Sequence, residues 1–153
     1  MGTSRRFAPW AMILATLVPF SCSSLTGAER RHARIGQVVL DLVESQSAGN
    51  LPLTISYFSE EADFFPHAGP PIEGVPAIAE YFRLLYREQD VRLGARIREI
   101  RSEGALAFVS ADVGGEMISR DRGGRVVIQD TWLVVLRRER EGWRIHSLVC
   151  RPT

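Results

Sequence analysis

The stretch Phe64-Phe65-Pro66-His67-Ala68-Gly69-Pro70-Pro71-Ile72-Glu73-Gly74 sets three prolines and two glycines around one histidine. Proline fixes φ and lacks an N–H donor, and glycine permits tight backbone turns, so this run bends the chain instead of continuing a helix. Helical periodicity lies on both sides of it. Upstream, "RRHARIGQVVLDLVESQSAG" places Ile35, Val38, Val39, Leu42 and Val43 on one helical face and stops at Gly49-Asn50. "LPLTISYFSEEA" then reads as a short second helix, with Pro52 in its first turn and Leu53, Ile55 and Phe58 available for burial. Downstream, "VPAIAEYFRLLYRE" aligns Val75, Ile78, Phe82 and Leu85 behind Pro76 as a third helix.

From Val91 the apolar residues come in shorter β-branched runs divided by turn signals, which predicts strands near 91–101, 105–118, 125–137 and 142–150. The links Glu103-Gly104, Arg122-Gly123-Gly124 and Glu141-Gly142 suit hairpins, so the second half is an antiparallel meander. Helices followed by a sheet predict an α+β single domain, with one sheet face packed on the helices.

At 153 residues, 45% hydrophobic and 24% charged, the chain is one domain's worth of globular sequence. Nineteen basic against 18 acidic residues give a net charge of +1, no overall field for nucleic acid, and none is expected as a partner. Residues 1–28 stand apart: Arg5 and Arg6 precede the apolar run Trp10–Phe20, the order of an export signal. The arginine pair is similar to a twin-arginine signal, although Phe7 follows it directly, and the general secretory route is the alternative. Ser21-Cys22 resembles a lipoprotein cleavage site, which would put a lipid on Cys22 as the one membrane link; ordinary cleavage after Ala28 is the other reading. Either way the expected domain is 29–153, in an exported protein.

Cys22 and Cys150 are the two cysteines, and loss or lipidation of the first leaves Cys150 as a small buried hydrophobe with no disulfide framework. Neither CxxC nor HExxH spacing occurs, so no zinc site is expected.

The order of parts, a long helix, "YFSEEADFF", the loop "PHAGPPIEG", the helix "VPAIAEYFRLL", and strands ending in "DTWLVVLRREREGWRIHSLV", resembles the nuclear transport factor 2-like superfamily, in its SnoaL-like and ketosteroid isomerase-like branches, over residues 30–150. The resemblance implies a cone: a strongly curved sheet wraps the helices and encloses a cavity. It also implies two short strands near 61–66 and 71–74 beside the cavity mouth, with the Pro/Gly loop turning between them. It carries no reaction with it, since superfamily members differ widely in chemistry and many have none. Ketosteroid isomerases place their base aspartate just before the loop proline and a second aspartate on the third meander strand. Phe65 and Val134 stand at those positions here, so that machinery is not carried over.

Strand parity selects the cavity wall. Val126, Ile128, Asp130, Trp132, Val134 and Leu136 share one face, and Arg125, Gln129, Thr131 and Arg137 the other. A turn centred on Arg122 sets Asp112 opposite Trp132 and Gly114 opposite Asp130, with the two aspartates diagonal neighbours about 5–8 Å apart. The Gly142 turn sets His146 opposite Val134 and Cys150 opposite Asp130. Two close carboxylates in an apolar cavity would raise one pKa into the acid–base range. The competing reading has a bulge at Gly114-Gly115 that turns Asp112 to solvent and leaves Asp130 held by an arginine.

The candidate catalytic groups are therefore Asp130, His67, Asp63, Asp112 and His146, with Asp63 and Tyr57 upstream of His67 in the chain. Trp132, Tyr57, Phe65 and Phe108 are the candidate ligand contacts. Three functions fit: a cofactor-free enzyme moving a proton on an apolar or polyketide-like small molecule, with isomerase, cyclase or lyase outcome; a non-catalytic binding module; or an interaction domain that dimerises through Val127, Leu133 and Val135 on the outer sheet face. Convergence of two or more of the five ionisable groups on one cavity favours the first.

Overall fold

The computed structural model describes residues 26–121 and 123–153. The export features at Arg5, Arg6 and Cys22 lie outside the described residues. The chain runs α1 (Gly27–Ser47), α2 (Leu51–Ser56), β1 (Phe58–Phe65), β2 (Ile72–Glu73), α3 (Val75–Glu88), β3 (Gln89–Glu103), β4 (Leu106–Ser119), β5 (Arg125–Glu139) and β6 (Gly142–Pro152). One curved, open sheet takes the order β2-β1-β6-β5-β4-β3, with β1 parallel to β6 and every other pair antiparallel. This is the predicted α+β architecture, and the four meander strands begin and end within about three residues of the expected limits.

Helix α1 starts at Gly27 because Thr26 and Glu29 form a reciprocal cap: Glu29 N–H donates to Thr26 Oγ1 at 3.2 Å and Thr26 N–H donates to Glu29 Oε2 at 2.6 Å. Gly27 and Ala28 thus belong to its first turn. Asn50 caps α2 by accepting from Leu53 N–H at 3.2 Å, and Pro52 sits where no intrahelical donor is needed.

The apolar stripes predicted for α1 and α3 are buried. Ile35, Val39, Leu42 and Val43 of α1 and Ile78 and Phe82 of α3 pack on the concave face formed by Val109, Ala111, Val113, Trp132, Val134, Leu136, Ile145 and Leu148. Each large side chain contributes about 1.5–3 kcal/mol by leaving water. A buried polar seam crosses this layer: Ser45 Oγ donates to Leu42 O at 2.7 Å and meets Thr54 Oγ1 at 3.0 Å, which meets Tyr86 Oη at 2.9 Å. The seam fixes α2 against α1 and α3.

Two expectations are corrected. The second helix ends at Ser56, and the remainder of "LPLTISYFSEEA" enters β1, where Phe58 pairs with Ile145 of β6 and Ser59 Oγ donates to Ile145 O at 3.1 Å. Local composition does not report a partner more than eighty residues away, and that pairing overrides short-range helix preference. Strand register is the second correction: Asp112 pairs with Thr131, Trp132 with Ala111, and Asp130 with Val113. The β4–β5 link sits half a residue from the assumed centre, and a one-residue slip moves Asp112 to the opposite face. Gly114 and Gly115 stay in continuous register with Gln129 and Ile128, so no bulge there is responsible.

Gly115 instead lets β3 and β4 pass closely. A Cβ at this position would lie 1.9 Å from the Arg92 carbonyl oxygen, and its φ of +155° disfavours other residues as well. A Cβ on Gly94, in the facing strand, meets nothing within 4 Å. Urea unfolding should therefore show Gly115→Ala losing about 2 kcal/mol or more, and Gly94→Ala within about 0.5 kcal/mol of the parent; equal effects would refute the close-passage account.

Candidate functional site

The sheet's concave face is apolar along β5 except at one position, Asp130. Ile128, Asp130, Trp132, Val134 and Leu136 all point inward, as parity predicts, and the Asp130 side chain is only 2% exposed. Burying a carboxylate is costly without a partner, and in this protein the partner comes from the Pro/Gly loop. His67 Nδ1 lies 2.7 Å from Asp130 Oδ1, with the imidazole 35% exposed above it. A carboxylate only accepts, so in a neutral imidazole facing carboxylate Asp130 the proton sits on Nδ1 and Nε2 is the acceptor.

The loop reaches this position because β1 is held by β6 on one side and β2 on the other. Gly74, with φ +78°, returns the chain to β1 by donating its N–H to Ala62 O at 2.8 Å. Pro66 and Gly69 shape the segment between, and His67 is thereby set over the sheet at the end of β5 nearest its start.

The dyad borders a small space walled by Phe64, Tyr81, Phe82, Trp132 and Cys150, with Gln46 of α1 also on its lining. Phe64 stacks on Phe82 at 5.4 Å, and Tyr81 meets both edge-on at 5.2 and 5.3 Å, so this wall is rigid. The open room is about 50 Å3, enough for a few waters. Trp132 Nε1 is buried and has no hydrogen-bond partner among the described residues. Burial, and then the nearby charge of Asp130, push the Cys150 thiol far up; burial, and then Cys150, raise the Tyr81 hydroxyl. Both groups are neutral hydrogen-bonding surfaces at physiological pH. Burial lifts Tyr86 to about 12, against the opposing effect of its Thr54 hydrogen bond.

Of the five ionisable candidates, His67 and Asp130 converge and three do not. Asp63, between inward Ala62 and Phe64, turns away from the core. Asp112 lies on the outer face, where Arg96 at 2.8 Å holds its carboxyl low, supported by Arg98 at 3.2 Å. The arginine tie expected for Asp130 is thus found on Asp112. His146 occupies a register break in β6, between Ile145 paired with Leu136 and Ser147 paired with Val135, and its buried Nδ1 has no partner among the described residues. The expected facing of His146 with Val134 is replaced by Leu148, and Cys150 faces Trp132 instead of Asp130.

Among the aromatic candidates Trp132 alone lines the space. Phe65 is 36% exposed on the far side of β1, Phe108 flanks an outer groove with Leu106 and Val135, and Tyr57 lies in a separate cleft beside Trp143. The wall residues missed from the sequence are Phe64, Tyr81, Phe82 and Gln46, while Cys150, expected opposite Asp130, is on the wall one pairing position away. Phe82 already stood on the predicted buried stripe of α3, and its neighbour Tyr81 was the available sign. Among the described residues no three His, Cys, Asp or Glu side chains gather to ligate a metal.

No protein-family model matches the chain, and a search of curated proteins finds no match. Solved structures do. A ketosteroid isomerase-like protein from Erwinia carotovora atroseptica superposes with a TM-score of 0.74 at 16% identity, over 80% of this chain and 95% of that one. A candidate dehydratase of the NTF2-like family from Streptomyces avermitilis gives 0.67 at 13% identity, over 79% and 95%. A domain of unknown function with a cystatin-like fold from Nostoc punctiforme gives 0.65 at 20% identity, over 84% and 80%. Likeness at these identities speaks for the fold and not the chemistry. The chain has a cystatin-like, NTF2-like fold.

Proposed function

We propose that this domain takes a small, largely apolar molecule into the space over Trp132 and moves a proton on it without a cofactor, with His67 as the base and Asp130 as the group that orients and charge-balances it. The observation that carries the reading is the 2.7 Å contact between a half-exposed imidazole and a buried carboxylate beside an otherwise apolar wall. Nε2 of His67 takes a proton from a carbon or hydroxyl of the ligand, and the imidazolium is balanced by Asp130. The same proton then returns to another ligand atom, giving an isomer or cyclised product, or to a leaving group, giving elimination. The unpartnered Trp132 Nε1–H suits a ligand oxygen that gains negative charge during that transfer. A ligand of several heavy atoms needs more than about 50 Å3, so its entry displaces side chains at the rim.

Export belongs to the same reading, with the mature chain beginning at Cys22 or just after Ala28. Native mass spectrometry of material isolated from its source reads both the processed mass and any retained small molecule. Self-association through the outer sheet face is a further part. Val127 and Leu106 are 59% and 54% exposed there, Leu133 and Val135 lie between them, and the neighbouring Arg96–Asp112 and Arg98–Asp112 pairs carry both signs of charge. An apolar strip with a mixed-charge border suits isologous pairing with a second copy.

Four outcomes are expected. Long-range 1H–15N correlation should find neutral His67 as the Nδ1–H tautomer in the parent and shifted toward Nε2–H in Asp130→Asn; an Nε2–H tautomer in both removes the base. If the dyad is present for chemistry, the double variant His67→Leu/Asp130→Leu should stay within about 1 kcal/mol of the parent in urea unfolding or exceed it, as buried ion pairs replaced by apolar groups often do; a loss of several kcal/mol assigns the dyad to structure. Cys150 should resist iodoacetamide at pH 8–9 in the native protein and react on unfolding. Its native thiol titrates above the unfolded one, so it adds stability below the unfolded pKa near 9 that fades as pH rises further. For the outer face, sedimentation equilibrium should give a dimer that Leu133→Glu converts to monomer; a monomeric parent at all accessible concentrations ends that part of the reading.

A further inference from the structure

A second hollow lies at the N-terminal end of α1, whereas the space of the His67 dyad touches the last turn of that helix at Gln46. The first turns of α1 and the β5–β6 turn enclose a cleft of about 600 Å3, within the range of small-ligand sites. Arg30, Arg31 and Arg34 line it from the helix, Arg138 and Arg144 from the hairpin, and Trp143 stands between them. Glu141 is the one acid on the lining, and it is paired with Arg144 at 2.8 Å.

This concentration is not a by-product of a basic protein, since the whole chain carries a net charge of only +1. Most arginines elsewhere are neutralised at home: Arg83, Arg92, Arg96, Arg98, Arg120 and Arg125 each sit within 4 Å of a carboxylate, while Arg140 and Arg151 are the two outside the cleft that have none among the described residues. Arg30, Arg31, Arg34 and Arg138 have no such partner among the described residues. Their placement also opposes local stability. Arg30 and Arg34 are like charges one helical turn apart, and Arg30 closes the first turn of α1, where the helix dipole disfavours cations. Unpaired guanidinium groups converging on a concave surface against local helix preference are the arrangement that binds phosphate oxygens through paired N–H donors.

We propose that this cleft is a binding site for phosphate groups, separate from the cavity of the dyad. A free phosphorylated small molecule and an anionic phospholipid headgroup present the same chemistry, and the experiment separates them. Calorimetry of the full chain with pyrophosphate and with ADP in low salt reads the free source; co-sedimentation with phosphatidylglycerol vesicles, against phosphatidylcholine vesicles, reads the lipid source. Saturable binding is expected in at least one arm, weakening steeply with added salt. Arg34→Ser/Arg138→Ser should weaken it at least tenfold. Arg83→Ser/Arg120→Ser removes the same charge at exposed positions away from the cleft and should change it less than twofold. Both variants alter exposed side chains, and circular dichroism confirms that each is folded. Absence of binding to pyrophosphate, ADP and anionic vesicles alike overturns the proposal, and so does an equal loss in the two variants, which would mean attraction to overall charge.

Discussion

The structure depends on the burial of one face of a bent sheet beneath α1 and α3. Alternate side chains along β5 point into that contact, and the same is true of the paired positions in β4 and β6. Because the period of a strand is two, this burial fixes the frame of every strand: a residue is either in the helix–sheet layer or outside it. Gly115 permits the close passage of β3 over β4 that the curvature requires, and Gly36 permits α1 to approach β3, its absent Cβ lying only 3.1 Å from Ile100 Cδ1.

Within that frame Asp130 is an exception placed where exceptions are costly. An apolar residue there would complete the series from Ile128 to Leu136, so the carboxylate is not explained by packing. Its partner, His67, is brought from 63 residues away on a loop that cannot be helical and is pinned by Gly74 to Ala62. The rigid bend in the sequence thus has two effects: it turns β1 into β2, and it sets an imidazole over the one acid that lines the wall among the described residues. The surrounding hydroxyl and thiol of Tyr81 and Cys150 are held neutral by burial, beside the His67–Asp130 contact.

Charge is sorted with similar economy over the surface. On the outer face of β3 and β4, arginines meet carboxylates on adjacent strands, as Arg96 and Arg98 meet Asp112, and such exposed pairs add little stability while keeping the edge strand soluble. On the α1 side, four arginines lie beside the β5–β6 turn without that compensation. A nearly neutral chain therefore presents two surfaces of different electrostatic character, which net charge alone conceals.

The sequence by itself determined what depends on neighbours along the chain: the stripes of α1 and α3, the breaks at Gly49-Asn50 and Pro66–Gly74, the four hairpin-linked strands, and the inward parity of Asp130 and Trp132. These follow from side-chain period and turn chemistry, which act over a few residues. The tertiary structure decided what depends on partners far away. Residues 58–62 join a strand because β6 is there to pair with them, and Asp112 faces outward because the β4–β5 link has a register that composition does not encode. The meeting of His67 with Asp130, and of Arg30 and Arg34 with Arg138, likewise required the sheet to close over the helices, since strand pairing and loop placement are set by the sum of distant contacts and not by any local pattern.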